Sequence, residues 1–272
     1  MKSNPLSQQH IPFYQVDAFA SEAFSGNPAA VCLLESWLDD DTLQNIAREN
    51  NLSETAFILK QGDDFALRWF TPAVEVDLCG HATLAAAFVL FYRGDNKSDS
   101  IHFHTRSGEL IVTRQGERLS MDFPRTELEP LDSLPAGLLS ALGIDEEEVM
   151  ESWKAFDYVI VIKDEKKLDA LAPDFAALEK IKTRGVVVTV SAQQFNFRSR
   201  WFGPQVGVNE DPVTGSAHTF LAPLWAKKLA KNTLRAQQGG KRKGEIQCAI
   251  KDDGRVELSG KAQLIIEGLF LR

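Results

Sequence analysis

A chain of 272 residues, 44% hydrophobic and 25% charged, has the composition of a globular protein, which excludes disordered and fibrous classes. Its length allows one large domain or two of ordinary size. A formal charge of −8 sets it against nucleic acid, whose phosphates are held by Lys and Arg, and no run approaches the roughly 18 apolar residues of a membrane span. The three cysteines, Cys32, Cys79 and Cys248, follow no metal-ligand spacing. They are therefore expected as reduced thiols in a cytoplasmic protein, and the opening MKSNPLSQQHIPFYQ lacks the apolar core of a signal peptide. A homodimer is the base-rate expectation for assembly.

In chain order, QVDAF and AAVCLL read as strands joined through SGNP, residues 25–28, where Gly26 permits a tight turn. DDDTLQNIAREN reads as a helix, with acidic residues in its first turn and Leu43, Ile46 and Ala47 at helical spacing. LSETAFILK then begins a strand whose first charged residue is Glu54. DLCGHATLAAAFVLF, residues 77–91, turns from an alternating strand end into an apolar helix, with Cys79, Gly80, His81 and Thr83 at the handover. In the second half DYVIVIK, GVVVTVS and FNFRSRWF are strands rich in β-branched and aromatic residues. TGSAHTFLAPLW is a second apolar helix, in which Pro223 should cost about 3 kcal/mol unless compensated. The basic run KKLAKNTLRAQQGGKRKGE has no interleaved aromatics to stack on bases and reads as a solvated hairpin face.

The halves repeat one another. RWFTPAVEVD at 68–77 and RWFGPQVGVN at 200–209 agree at six of ten positions, against a chance agreement of about one in fifteen per position. Each copy is followed by a glycine and an apolar helix, with three extra residues before the second glycine, and then by a hairpin starting at Gly108 or Gly244. Internal duplication is the reading. The division falls in PRTELEPLDSLPAG, giving an N-terminal half at 1–124 and a C-terminal half at 125–272, with the last strand, about 266–272, joining the first half. The expected fold is α/β (α+β): two similar halves related by a pseudo-twofold, each a mixed, mostly antiparallel sheet wrapped around a central helix. Both central helices begin at a glycine turn, so an approximate twofold would bring two N-termini to a shared cleft, each suited to a carboxylate or phosphate.

FSGNPAAV at 24–31, NNLSETAF at 50–57, RWFTPAVEVDLCGHAT at 68–83 and EDPVTGSAH at 210–218 resemble, in order, the four signature blocks of the phenazine-biosynthesis PhzF-like isomerase family. The resemblance implies a diaminopimelate epimerase-like fold and a biosynthetic isomerase that moves a proton on a small cyclic or amino carboxylate without metal or cofactor. It places general acid-base catalysis on Glu54, with His81 and Asp211 accompanying it, and substrate binding on Asn27, Gly80, Thr214, Gly215 and Ser216. A carboxylate just before AFIL is expected to be partly desolvated, which suits a group that takes and returns a proton. Residue by residue there are structural alternatives: Glu54 as a pairing residue at a strand start, His81 as a helix-start histidine, and Thr214 and Ser216 as N-caps. Cys79 carries a second mechanism, since epimerases of this fold use paired thiols before Gly-polar turns. The matching second position is Thr214, too weak a base, which leaves a single-thiol dehydratase or epimerase, or a non-catalytic binder of small molecules, as the alternative.

Overall fold

The computed structural model describes residues 10–271 and divides into two compact units, one running to Met121 and resuming at Lys261, the other Asp122–Gly260. The first unit contains β1 (His10–Ala18), β2 (Asn27–Leu34), α1 (Asp40–Asn50), β3 (Glu54–Gln61), β4 (Asp64–Phe70), the short β5 (Glu75–Val76), α2 (Gly80–Arg93), β6 (Ser100–Thr105) and β7 (Gly108–Gln115). β8 (Arg118–Pro124) crosses the division. The second unit continues with β9 (Glu129–Pro130), α3 (Leu138–Leu142), β10 (Val149–Lys154), β11 (Tyr158–Ile162), α4 (Glu165–Ala170), α5 (Phe175–Leu178), β12 (Val186–Ser191) and β13 (Phe197–Gly203). It closes with β14 (Val208–Asp211), α6 (Gly215–Leu229), β15 (Thr233–Gln238), β16 (Gly244–Ile250) and β17 (Arg255–Gly260). β18 (Ala262–Leu271) returns to the first unit and lies antiparallel along β1 from Ala18 to His10. It is longer than the 266–272 strand read from the sequence, and Arg272 lies outside the described residues.

One pairing scheme serves both units. In the first, β18/β1 and β1/β2 are antiparallel, β2/β3 parallel, β3/β4 antiparallel, β4/β6 parallel, and β6/β7 and β7/β8 antiparallel. In the second, β9/β10 and β10/β11 are antiparallel, β11/β12 parallel, β12/β13 antiparallel, β13/β15 parallel, and β15/β16 and β16/β17 antiparallel. The central helices are α2, packed on β1, β2, β3, β7 and β18, and α6, packed on β15, β16 and β17. Mixed sheets around a helix, stated from the pattern, are what the chain forms.

Local chemistry explains the elements. Gly26 takes φ +69°, and a Cβ there would stand 2.2 Å from the Ala18 carbonyl, so the β1–β2 turn admits no larger residue. Asp39 caps α1 by accepting from the Thr42 N–H at 2.9 Å. Leu43, Ile46 and Ala47 of α1 bury against Phe57, Phe70 and Cys32. Pro223 sits inside α6 without breaking it. A proline there withdraws the N–H that the Thr219 carbonyl would accept, and the Thr126 N–H takes that place at 3.2 Å. The hydroxyls of the same two residues meet at 2.9 Å, so the lost helix bond is replaced from β8's downstream segment.

The repeated RWF carries matched clamps. Arg68 holds Glu75 through two bonds, Nε–Oε1 at 2.7 Å and Nη2–Oε2 at 2.8 Å, and Arg200 holds Glu210 through the same atoms at the same distances. Each guanidinium lies over its own phenylalanine, 5.2 Å from the Phe70 centroid and 5.0 Å from that of Phe202. The three extra residues of the second copy form a single 3-10 turn, Pro204–Val206, which absorbs them ahead of β14.

Candidate active site

Glu54 is the first residue of β3, and its neighbour in the parallel β2 is Ala29. Cys79 is the N-cap of α2, with extended φ −147° and ψ 107°, and Gly80 opens the helix. Position 79 needs a residue in β conformation and position 81 one whose side chain turns back across the helix start. The strand end at Glu54 and the helix start at His81 therefore meet within the first unit. His81 Nε2 lies 2.9 Å from Glu54 Oε2, and His81 Nδ1 lies 3.5 Å from Cys79 Sγ and 3.3 Å from Asn27 Nδ2. Thr83 secures the turn by donating to the Cys79 carbonyl at 2.6 Å.

The direction of each bond follows from its donors. The Ser53 hydroxyl donates to Asn27 Oδ1 at 3.1 Å, which turns the Asn27 amide N–H toward the ring. In the neutral imidazole Nδ1 then accepts and Nε2 carries the proton that faces Glu54. On taking a second proton, Nδ1 becomes a donor and the sulfur of Cys79 replaces Asn27 as its partner. Burial alone would lower the His81 imidazole, but Cys79 and Glu54 on its two nitrogens outweigh burial and hold it well above the usual histidine range. Burial, reinforced by the Glu54 charge, pushes the Cys79 thiol up. His81 therefore faces the carboxylate as a proton carrier in either state.

The Glu54–His81 approach is close but not aligned as a hydrogen bond, and both Oε2 and Nε2 are buried without another partner among the described residues. The contact is a close charge pairing that orients Glu54. Its side chain keeps 17% exposure. One oxygen is held beside His81.

The remaining sequence-predicted residues belong to the second unit, where α6 starts as α2 does, with Thr214 as N-cap and Gly215 first. Thr214 does not cap with its hydroxyl: Oγ1 donates to Asp211 Oδ2 at 2.6 Å. Gln238 completes the turn, accepting from the Thr214 N–H at 3.1 Å and donating to the Asp211 carbonyl at 2.8 Å and to Thr214 Oγ1 at 2.9 Å. Nor is Ser216 a cap; it accepts from Arg184 Nη1 at 3.0 Å, and Arg184 is held by the fully buried Asp157. His218 Nδ1 bonds the Thr214 carbonyl at 2.9 Å, the place Thr83 takes in α2. Reading the sequence missed Ser53, Gln238, Arg184 and Asp157. Ser53 stood inside the quoted LSETAF block, whereas Gln238, in the polar run QQGG, gave no local signal because β15 brings it to the site.

Glu54, Cys79 and His81 could also serve as ligands to a metal ion, one donor atom of each lying within 4.8 Å of the other two. No described helix is long and apolar enough to cross a membrane.

A family model for phenazine biosynthesis-like proteins matches residues 16–268. An uncharacterized isomerase of Pseudomonas aeruginosa is 58% identical over 95% of this chain and 98% of its own. A PhzF-family protein of Enterococcus faecalis, solved as a crystal structure, is 46% identical with a TM-score of 0.92, covering 96% of this chain and 99% of that one. At the level of fold alone, a hydroxyproline epimerase from Agrobacterium vitis shares a TM-score of 0.61 at 10% identity, over 97% of this chain and 92% of its own. Paired mixed sheets around central helices, the glycine turns and these likenesses have one explanation: the chain belongs to the phenazine biosynthesis-like PhzC-PhzF family, whose relatives include named isomerases.

Proposed function

We propose that this protein is an isomerase that moves a proton on a small, cyclic or amino, carboxylate, with Glu54 as both acid and base and without metal or cofactor. The observation that carries the reading is the placement of Glu54: Oε2 is buried 2.9 Å from His81 Nε2, and the side chain as a whole keeps 17% exposure. A base must keep one lone pair open to substrate while its orientation is held by a neighbour. His81 supplies the hold. Its Nε2 proton faces Glu54 in the neutral ring and in the imidazolium alike, so the carboxylate keeps the same neighbour in both states. After abstraction the same carboxylic acid returns the proton at a second carbon, which makes one group sufficient for an isomerisation. The start of α2 at Gly80, with the positive end of its dipole, suits the substrate's carboxylate.

A thiol mechanism has one observation on its side, the 3.5 Å approach of Cys79 Sγ to His81 Nδ1. Against it stand the raised thiol of Cys79 and the hydroxyl of Thr214 in the matching position, committed to Asp211. The test is solvent exchange. A panel of cyclic and amino carboxylates is incubated with the protein in deuterated water and followed by proton NMR for loss of carbon-bound hydrogen. Exchange by the wild-type protein and its loss in Glu54→Gln, at an unchanged melting temperature, are expected. A folded Glu54→Gln variant that exchanges at the wild-type rate overturns the reading.

A further inference from the structure

The cluster behind the proposed base brings a thiol, an imidazole and a carboxylate together in a buried place, with one donor atom of each within 4.8 Å of the others. Cys79 Sγ and His81 Nδ1 are 3.5 Å apart. That is the separation two such atoms adopt on a tetrahedral zinc ion, about 3.5 Å for bonds of roughly 2.3 Å to sulfur and 2.0–2.1 Å to nitrogen. Glu54 Oε2 lies 2.9 Å from His81 Nε2, the ring nitrogen turned away from the sulfur, so the carboxylate joins an ion held by Sγ and Nδ1 by giving up that contact. We propose that Cys79 Sγ, His81 Nδ1 and a Glu54 carboxylate oxygen form a zinc site with an open fourth position, and that zinc bound there inhibits the protein. The inhibition rests on the reading of Glu54 above, since the ion would occupy the base; the binding does not.

Chemistry narrows the metal. Sulfur and nitrogen donors disfavour magnesium and calcium, which take oxygen ligands, and suit zinc among the available divalent ions. Charge closes as well: a doubly positive ion with one thiolate, one carboxylate and a neutral imidazole sums to zero, so the occupied cluster buries no net charge. As the sulfur–zinc bond forms, the Cys79 S–H bond breaks, the imidazolium of His81 gives up its Nδ1 proton, both protons leave to solvent, and the freed Nδ1 lone pair binds the ion. Asn27 Nδ2, now 3.3 Å from Nδ1, is the group displaced. This differs from a catalytic zinc requirement, because the ion takes the proton-transfer residue rather than activating a water beside it.

Metal-stripped protein is titrated with cobalt(II), and zinc is then added to displace it. One cobalt per chain with a thiolate-to-cobalt charge-transfer absorption is expected, bleached by zinc. Cys79→Ser should remove that absorption and weaken zinc binding, measured by chelator competition, by about 100-fold or more. Glu54→Gln should keep the absorption but bind more weakly. Cobalt binding without a charge-transfer band, or equal zinc affinity in folded Cys79→Ser, overturns the site. Deuterium exchange on the same preparations separates the two readings. Metal-free protein that exchanges and is stopped by one equivalent of zinc supports inhibition. Exchange that continues in zinc-loaded protein overturns inhibition while the site stands. A metal-free protein without exchange, yet with the cobalt band, overturns the role of Glu54 and leaves the zinc site intact.

Discussion

The start of β3 and the start of β12 occupy the same place in the two units, and they are built oppositely. Thr55 pairs with Phe70 as Val186 pairs with Phe202, so the preceding residues correspond: Glu54 in one unit, Gly185 in the other. A Cβ on Gly185 would stand 2.4 Å from the Trp201 ring, and that indole donates to Asp157 Oδ2 at 2.9 Å. Its counterpart Trp69 has a buried indole N–H with no partner among the described residues. The second unit thus fills with a packed, hydrogen-bonded tryptophan the position from which the first presents a carboxylate. The Arg–Glu clamps, by contrast, are alike in both. Two units with one pairing scheme can keep their supports alike and differ in chemistry, because the clamps lie along strands while the differing residues stand where a strand begins.

Breaking the comparison at Glu54 should give the largest effect. Glu54→Gln keeps shape and polarity but removes the transferable proton, so turnover should fall by a factor on the order of 10² to 10⁴, about 3 to 5 kcal/mol of barrier. Steady-state kinetics on any substrate found by exchange checks it, and an unchanged melting temperature shows that the residue was not a structural pair.

His218 sharpens the contrast next. It makes the bond to its N-cap carbonyl that Thr83 makes in α2, but it can titrate. Burial pushes its imidazole down to about 4, below the ordinary value of about 6.5. Between those values the unfolded chain binds the proton and the folded one does not, so stability falls as the pH is lowered through that window, by about 3 kcal/mol in all. Urea unfolding measured from pH 7 to pH 4 checks it. His218→Thr, which installs the first unit's residue, should flatten that part of the slope; an equal acid slope in the variant would show that other groups cause it.

Gly185→Ala probes the same comparison by packing. The added methyl meets the Trp201 ring at 2.4 Å, an overpacking that costs about 1–3 kcal/mol. Denaturant unfolding should show that loss, and a variant as stable as wild type would mean that the indole is free to shift.

How much of this was legible follows from where each residue's partners lie. The strands and both central helices could be read because β-branched runs, alternation and the repeated RWF are local features. Glu54, Asn27, Cys79 and His81 could be named because each lies in a quoted block. Their arrangement around one imidazole could not be read, since residues 27 and 81 are 54 apart and meet only after β2 and α2 pack. Gln238 was invisible for the same reason. Thr214 misled because residue type at an N-cap predicts a capping hydroxyl, while Asp211 three residues earlier offered that hydroxyl a charged acceptor at 2.6 Å. Pro223 looked disruptive because its compensation comes from Thr126, almost a hundred residues away by the order of the chain.

The smallest expected effect is at Cys79, and it decides between the two mechanisms. Cys79 and Thr214 are both N-caps that make no side-chain capping bond, so neither is needed to hold its helix. If the thiol only lines the proton carrier, Cys79→Ala removes the Nδ1 partner of the His81 imidazolium but leaves Glu54 on Nε2 and, in the neutral ring, Asn27 on Nδ1. Turnover should then stay within a few-fold of wild type, less than about 1 kcal/mol of barrier. A thiol that carried the proton itself would make the same change cost more than about a hundredfold. Grafting sharpens the outcome: Cys79→Thr gives the first unit the residue of the second, a hydroxyl too weak to act as a base at neutral pH. Near-normal turnover in both variants assigns the chemistry to Glu54, and a joint collapse of turnover in well-folded protein assigns it to the thiol.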